Sequence, residues 1–396
     1  MRRRDSVYGV MPRPASTLAT TPHSGIREVQ ALAARFTDVL NLGLGDPNFG
    51  TPDHVIDAAA LAAREGWTKY TPSGGLPGLR ELIRDKVRER NGIECAAEQI
   101  VVTTGGCGGL FTTLLCLLDP GDEVLLPDPG WANYPPMVHV LGGVSVFFPL
   151  DPARGFDPDV DGLEALVTPR SKVIVLNSPG NPTGGVHGRE SIAAVLELAR
   201  RHDLWVISDE CYDELVFEGE HVSSVTVGGP ERVISVFTFS KSYAMTGWRV
   251  GYVVAPPDLA PGIAKAQEPV VGNAASVSQK AAEAALTGPQ ECVGEMRDAY
   301  RERRDSVIAL LEEAGVRYVR PRGAFYLMVD VSPTGDSLPF ARRLLEEQRV
   351  AVVPGSAFGP RGEGWVRVSL CVDPETLVEG VQRLAAVVRE AAPAVR

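Results

Sequence analysis

Five residues with reactive or hydrogen-bonding side chains follow the ends of three apolar, β-rich runs of this sequence. In chain order they are Asn181, Asp209, Tyr212, Lys241 and Arg249. Taken singly, each has an ordinary explanation, since Asn-Pro pairs mark turns, strand-ending acids cap helices and most lysines lie on the surface. In an open parallel sheet, however, ligands bind beyond the carboxyl ends of the strands. The order of these residues therefore predicts one site with an amide, a carboxylate, a phenol, an amine and a guanidinium.

The elements that would position this site alternate between strands and helices from residue 100 onward. The predicted strands are Ile100–Thr103, Glu123–Leu126, Val144–Phe148, Val173–Leu176, Trp205–Ser208, Val233–Phe239 and Val250–Val254. The predicted helices are one capped by Thr51 that runs through Arg64, one that ends at Asn91-Gly92, and two over 110–118 and 191–202. Several strands are apolar throughout, which is typical of strands covered on both faces. The alternation predicts an α/β fold with a mainly parallel sheet.

The pattern changes after about residue 290, which suggests a second domain in a chain of 396 residues. One long helix is expected over 291–314, followed by separate strands at Phe325–Val329, Val350–Val353 and Trp365–Ser369. We predict a large domain over residues 50–290 and a smaller α+β domain built from residues 1–49 and 291–396. Residues 1–25, rich in Pro, Thr and Arg, are expected to form an extended arm of the smaller domain.

Composition and charge exclude several classes of partner. The net charge is −11 and the basic residues form no block beyond the three arginines after Met1, which argues against nucleic acid. No apolar stretch reaches the roughly 18 residues that a membrane span requires. The six cysteines and six histidines lack the spacing of metal ligands, so no metal site is predicted. We therefore expect a cytoplasmic protein that acts on small molecules.

The sequence resembles the fold type I pyridoxal-phosphate (PLP) enzymes of the class I/II aminotransferase family, over nearly its whole length. The matching stretches are 41–49, 69–80, Asn181-Pro-Thr-Gly, Ser208-Asp-Glu-Cys-Tyr, 240–252, Pro321-Arg-Gly-Ala-Phe-Tyr and Trp365-Val-Arg-Val-Ser. The resemblance extends to bacterial enzymes of the aspartate and aromatic type. It implies the PLP-dependent transferase fold type I, with a sheet of seven-stranded type, and transfer of an amino group between an L-amino acid and a 2-oxo acid.

The resemblance assigns roles at the cofactor to individual residues of this sequence. Lys241 would hold PLP as a Schiff base and, once freed by substrate, move the proton from Cα to C4′. Asp209 would keep the ring nitrogen protonated, as an electron sink requires. The other implied contacts are Gly105, Gly106 and Cys107 at a helix N-terminus, Trp131 on the ring face, Asn181 and Tyr212 at the phenolate oxygen, and Thr238, Ser240 and Arg249 around the phosphate.

The substrate and a second subunit would complete this site. Arg367 matches the family's clamp on the substrate α-carboxylate, although an outward-facing arginine on its strand is the alternative. Gly45 matches the glycine whose backbone approaches the same carboxylate, and Trp131 and Asn181 would also contact the substrate. Tyr70 matches a tyrosine that reaches the phosphate of the neighbouring subunit, which implies a homodimer with shared active sites.

The motifs leave the reaction type and the amino donor open. A β-lyase or a cyclising or eliminating enzyme of the same fold would share them, whereas a PLP-binding regulatory domain would need a DNA-binding module for which no chain remains. Some aspartate-preferring relatives carry a lysine at the position of Cys107. The small, neutral side chain here favours a neutral or bulky donor. Arg13 or Arg27, from the N-terminal arm, is the competing means of binding an acidic side chain.

Overall fold

Strands and helices alternate along most of the chain in a computed structural model, which describes residues 15–21 and 25–391. The strands are β1 (Leu40–Asn41), β2 (Ile100–Thr103), β3 (Glu123–Asp128), β4 (Val144–Asp151), β5 (Asp157–Pro158), β6 (Ser171–Asn177), β7 (Trp205–Asp209), β8 (Val233–Thr238), β9 (Gly251–Val254), β10 (Tyr318–Val319), β11 (Tyr326–Asp330), β12 (Val350–Ala351), β13 (Val353–Pro354) and β14 (Trp365–Ser369). The α-helices are α1 (Ser16–Thr20), α2 (Gly25–Ala33), α3 (Asp53–Arg64), α4 (Pro77–Asn91), α5 (Gly105–Leu117), α6 (Tyr134–Val140), α7 (Val160–Glu164), α8 (Arg189–Arg201), α9 (Phe239–Ser242), α10 (Ala260–Val271), α11 (Ser276–Thr287), α12 (Glu291–Glu313), α13 (Ser337–Gln348) and α14 (Pro374–Ala391). None of these helices is long and apolar enough to cross a membrane.

The larger sheet has the strand order β2-β9-β8-β7-β6-β3-β4-β5. Its centre is parallel, from β8 through β7, β6 and β3 to β4. Strand β9 is antiparallel to both of its neighbours, and the two-residue strand β5 runs antiparallel to β4. All seven predicted strands of this sheet are present, so the prediction of a mainly parallel α/β sheet is confirmed.

Both faces of this sheet are covered by apolar side chains, as its continuously apolar strands indicated. On β6, Val173 and Val175 pack into one core cluster, while Ile174 and Leu176 pack into the cluster on the opposite face. All four side chains are at most 2% exposed. Because successive strand residues point to opposite faces, a run without alternation satisfies two cores at once. Burial of each such side chain contributes roughly 1.5–3 kcal/mol.

Several predicted ends of elements were wrong, each for a local reason. Pro52, not Thr51, occupies the cap position of α3, because the Thr51 hydroxyl donates instead to the carbonyl of Ala244 at 2.7 Å. Strand β8 ends at Thr238, whose side chain caps the next helical turn by accepting from the backbone N–H of Ser240. Helix α5 begins at Gly105, five residues before its apolar pattern, since the low helix propensity of glycine hid the first turn.

The chain after residue 290 forms a second, antiparallel sheet of order β10-β11-β14-β13. Its predicted strand Val350–Val353 is instead two short strands on either side of Val352. Strand β1 pairs with β12, and α2 packs on α13. The division into two domains remains a prediction, but these contacts are the ones by which the N-terminal segment would join the smaller domain. The predicted extended arm over residues 1–25 was wrong at α1, which is a short helix, while most of that arm lies outside the described residues. Helix α2 follows the arm, is amphipathic and buries Val29 and Ala33.

Candidate active site

A cavity of about 580 Å³ lies at the carboxyl ends of β6, β7 and β8. The structure brings twelve of the fourteen predicted site residues to its lining: Gly45, Gly106, Cys107, Trp131, Asn181, Asp209, Tyr212, Thr238, Ser240, Lys241, Arg249 and Arg367. Gly105 lies directly behind this lining, next to Arg249. Tyr70 lies elsewhere on the surface and is 93% exposed. The strand-end residues that were predicted to lie along one edge of the sheet therefore line one cavity.

Lys241 projects into the cavity from α9, the short turn after β8. Its amine donates to the carbonyl of Gly45 at 2.8 Å and lies 5.6 Å from the centre of the Phe325 ring. Burial lowers the pKa of the Lys241 ammonium, because the charged form loses its hydration in this position. A lowered pKa favours the neutral amine, which is the form of lysine that can attack a carbonyl carbon.

Asp209 ends β7 and is 4% exposed. Its carboxyl accepts a hydrogen bond from the Tyr134 hydroxyl at 2.6 Å and one from the backbone N–H of Cys211 at 3.3 Å. Burial raises the pKa of this carboxyl, and none of the ion pairs within residues 15–21 and 25–391 includes it. A buried carboxyl with hydrogen bonds but no cation is suited to a ligand that brings its own positive charge.

Tyr134 is a member of this site that sequence reasoning missed. It opens α6, three residues after Trp131, and their rings meet edge to face with centroids 5.3 Å apart. The Tyr134 ring is 1% exposed, yet its hydroxyl reaches Asp209. Helix α6 was not predicted and Trp131 precedes it, so no helical spacing in the sequence indicated that the Tyr134 hydroxyl would reach Asp209.

An anion site is built from the N-terminus of α5 and a guanidinium. A Cβ atom at Gly105 would lie 2.9 Å from Nη2 of Arg249, and Gly105 has φ +73°, a backbone conformation that favours glycine. Arg249 also has a positive φ, +53°, and its Nη1 donates to the carbonyl of Thr246 at 2.8 Å. Unpaired N–H groups of a helix start and a nearby guanidinium together suit a phosphate.

Arg367 lines the cavity from β14 and is 4% exposed. Its Nη1 donates to the side-chain oxygen of Asn181 at 2.9 Å and its Nη2 donates to the carbonyl of Gly43 at 2.8 Å. Its Nε is buried and has no hydrogen-bond partner in the part of the chain that the structure describes. The alternative of an outward-facing arginine is thus wrong, and the guanidinium keeps capacity for an anionic ligand.

Tyr326 also lines the cavity and was not singled out from the sequence. It is the last residue of the stretch Pro321-Arg-Gly-Ala-Phe-Tyr and opens β11. Tyr212 donates its hydroxyl to that of Tyr326 at 3.3 Å, and the Arg367 guanidinium lies 4.2 Å above the Tyr326 ring. Only the position of β11 beside β14 brings these groups together, so no local sequence signal indicated it.

Four further lining residues, which we call the side-chain end, are Ile26, Leu44, Cys107 and Trp131. All four are neutral, and Cys107 is exposed to the cavity, with partial loss of hydration raising the pKa of its thiol. Among the described lining residues, the cations are Lys241, Arg249 and Arg367. Arg27 lines a neighbouring cavity of about 500 Å³ that shares Trp131 with the first, and Arg13 lies outside the described residues.

Fold and site together define an α/β enzyme that acts on small carboxylate-bearing molecules. Residues 37–384 match the family model described as Aminotransferase class I and II, and the chain belongs to this family. The predicted family and the fold that it implied are thereby confirmed, and so is the prediction of an aminotransferase rather than a lyase or a regulatory domain.

Similar proteins agree over nearly the whole chain. A probable aspartate/prephenate aminotransferase of Aquifex aeolicus is 40% identical over 388 residues, 96% of this chain and 97% of that protein. The aspartate/prephenate aminotransferase of Thermus thermophilus is 39% identical over 383 residues, again 96% of this chain and 97% of the relative. A solved structure of Thermus thermophilus aspartate aminotransferase with maleate matches with a TM-score of 0.91 at 40% identity, covering 95% of this chain and 100% of that one.

Proposed function

We propose that this aminotransferase holds PLP covalently at Lys241 and uses it to move an amino group between an L-amino acid and a 2-oxo acid. The transfer of amino groups follows from the family and its relatives. The observation that carries the cofactor proposal is the pair formed by Lys241 and Asp209. A buried amine of lowered pKa and a buried carboxyl without a cation open onto one cavity.

The residues of the cavity fit each part of PLP. When bound, PLP supplies an electron sink for the electron pair released at the substrate Cα. Asp209, oriented by Tyr134, would face the ring nitrogen. The other proposed contacts are Asn181 and Tyr212 at the ring oxygen, Trp131 on the ring face, and Gly105, Gly106, Cys107, Thr238, Ser240 and Arg249 around the phosphate.

Two residues would then act on the substrate. Arg367 would bind the α-carboxylate through N–H groups that now bond to Asn181 and Gly43, and such charge-assisted bonds are worth roughly 1.5–3 kcal/mol each. The amine of Lys241, whose pKa is lowered by burial, would accept the proton from Cα and return it. Gly45 would orient that amine through its carbonyl group.

A second copy of the chain would complete the site. The Tyr70 ring is 93% exposed, and it lies beside Gly272, next to the half-exposed Val270 and Val271. An exposed aromatic ring near exposed apolar residues is typical of an interface. We therefore propose a homodimer in which Tyr70 reaches the partner's phosphate, and an enzyme of the cytoplasm, in keeping with six unpaired cysteines.

Reduction with borohydride tests the covalent link. The purified protein should be yellow, and reduction should remove the visible band and leave the cofactor attached to the peptide that contains Lys241. Lys241→Ala should retain no cofactor after reduction and denaturation, whereas Lys172→Ala, which changes a lysine paired with Asp119 and Asp122, should behave as wild type. Covalent trapping in Lys241→Ala would show that another residue forms the link.

A donor screen tests the reaction and its substrates. Aspartate and prephenate, which the names of relatives suggest, should be compared with neutral and aromatic amino acids, with 2-oxoglutarate and pyruvate as acceptors. Formation of a new amino acid supports the proposal. Release of ammonia and pyruvate without amino transfer would contradict it.

A further inference from the structure

Tyr326 contacts both the residues proposed to bind the cofactor and the residue proposed to bind the substrate carboxylate. Its hydroxyl accepts from Tyr212 at 3.3 Å, and its ring lies 4.2 Å from the Arg367 guanidinium. A Cβ atom at Gly45 would lie 2.4 Å from the Tyr326 hydroxyl oxygen, so the same hydroxyl packs against the backbone that accepts from Lys241. Tyr326 thus contacts Tyr212, Arg367 and the backbone that holds the amine of Lys241.

A purely structural role does not explain the hydroxyl of this residue. Tyr326 is 2% exposed, and a phenylalanine would fill the same space between Tyr212 and Arg367 without burying a polar group. Buried tyrosine hydroxyls are usually retained because they have a hydrogen-bond partner. Within the described chain, the hydrogen-bond partner of this hydroxyl is Tyr212, which we propose to bind the ring oxygen of PLP.

We propose that Tyr326 is a positioning residue that strengthens hydrogen-bond donation by Tyr212 to the cofactor and fixes the plane of Arg367. A hydroxyl can donate and accept at once, so Tyr326 can donate to Tyr212 when Tyr212 donates to PLP. Such a chain of hydrogen bonds polarises its members. When PLP is bound, a stronger donor at Tyr212 would stabilise the negative ring oxygen, so that the Lys241 nitrogen would lose its proton at lower pH.

The test rests on the proposed function and uses the holoenzyme. The quantity measured is the pH midpoint at which the visible absorption band of bound PLP changes. Tyr326→Phe should raise this midpoint by about half a unit to one unit, the size expected for loss of one hydrogen bond. Tyr300→Phe is the matched control, because Tyr300 belongs to the same aromatic cluster but bonds Cys371 and does not line the cavity. It should leave the midpoint unchanged.

A double-mutant cycle shows whether Tyr326 acts through Tyr212. Tyr212→Phe should raise the midpoint, and adding Tyr326→Phe to it should cause no further rise. An undiminished shift in that background, or an unchanged midpoint in Tyr326→Phe, would overturn the inference while leaving the proposed function intact. A wild-type protein without a visible band would overturn both.

The role of the ring is measured with a second variant. Tyr326→Leu removes the surface beneath Arg367, and the KM of the best amino donor should rise about 5- to 10-fold above that of Tyr326→Phe. Equal KM values in the Leu and Phe variants would show that the Tyr326 ring does not position Arg367.

Discussion

The two ends of the cavity are built differently. Four of the residues proposed to bind PLP, which we call the cofactor end, are Asp209, Tyr212, Lys241 and Arg249, and each lies on a strand of the central sheet or within three residues of one. Their polar atoms have close partners, such as the 2.6 Å bond from Tyr134 and the 2.8 Å bond to Gly45. The side-chain end is neutral and is drawn from α2, the loop at Leu44, α5 and the loop after β3.

This difference separates the chemistry common to a family from the choice of substrate. A rigid sheet places reactive groups with the precision that catalysis needs, while loops and terminal helices change at little cost to the fold. We therefore expect substitutions at the cofactor end to affect all substrates alike. Substitutions at the side-chain end should change the ratio between substrates.

The largest effect is expected from Asp209→Asn, which removes the negative charge of the cofactor end and keeps the size of the side chain. Loss of a preorganised charge should lower kcat by roughly 10²–10³-fold for every donor. Asp128→Asn is the control, since Asp128 is a buried carboxyl, 3% exposed, at the end of β3, a strand of the same sheet that β6 separates from β7. Steady-state kinetics with two amino donors measures kcat for both variants. A loss of kcat with only one donor would contradict the expectation that the cofactor end affects all substrates alike.

The second prediction extends the cofactor end to a neighbouring subunit. Dimers of Tyr70→Ala and dimers of Lys241→Ala should each have low activity. After subunit exchange, mixed dimers should regain activity, because one of their two sites then has both an intact Lys241 and an intact Tyr70 from the partner. Activity is compared before and after exchange, with exchange followed by tagged subunits. Complete exchange without recovery would place Tyr70 outside the site.

A smaller change is expected at the side-chain end. Cys107→Lys should shift the ratio of kcat/KM values towards aspartate by about tenfold, because an unpartnered buried carboxylate is unfavourable and a lysine would pair with it. Cys107→Ser keeps a small neutral side chain and should leave the ratio near that of wild type. High wild-type activity with aspartate would be evidence against our hypothesis, and loss of that activity in Arg27→Ala would assign the role to the N-terminal helix.

The smallest predicted effect concerns stability. Burial raises the pKa of the Asp209 carboxyl in the folded protein. The protonated carboxyl therefore favours folding below the unfolded-state pKa of about 3.9, and this contribution to the free energy of unfolding is lost as pH rises through the folded-state pKa. At neutral pH, cofactor-free Asp209→Asn should therefore melt roughly 1–3 °C above cofactor-free wild type. The difference should shrink towards pH 4. Thermal unfolding against pH measures this, with the exposed Asp57→Asn as control, and a lower Tm at neutral pH would be the contrary result.

The strands of the larger sheet were the part of the fold most accessible from sequence. The continuous apolar run at β6 indicated a strand covered on both faces, and the ends of such strands indicated Asp209 and Lys241. The first turn of α5 and the helix α1 were missed, because glycine and threonine are poor guides to structure that packing stabilises. Helix α2 was not predicted, although it has an amphipathic sequence. Arg367 was assigned through the family resemblance, and its burial was visible only in the fold.

By itself, the sequence determined the α/β fold, the membership of class I and II aminotransferases, and the residue types that the chemistry requires. Those features depend on local periodicity and on motifs that stay together along the chain. The tertiary structure decided that Tyr134 reaches Asp209, that Tyr326 joins Tyr212 to Arg367, and that the side-chain end carries no cation among its described residues. These contacts join residues as far apart in sequence as Tyr212 and Tyr326, and only the packing of distant segments against each other sets such distances.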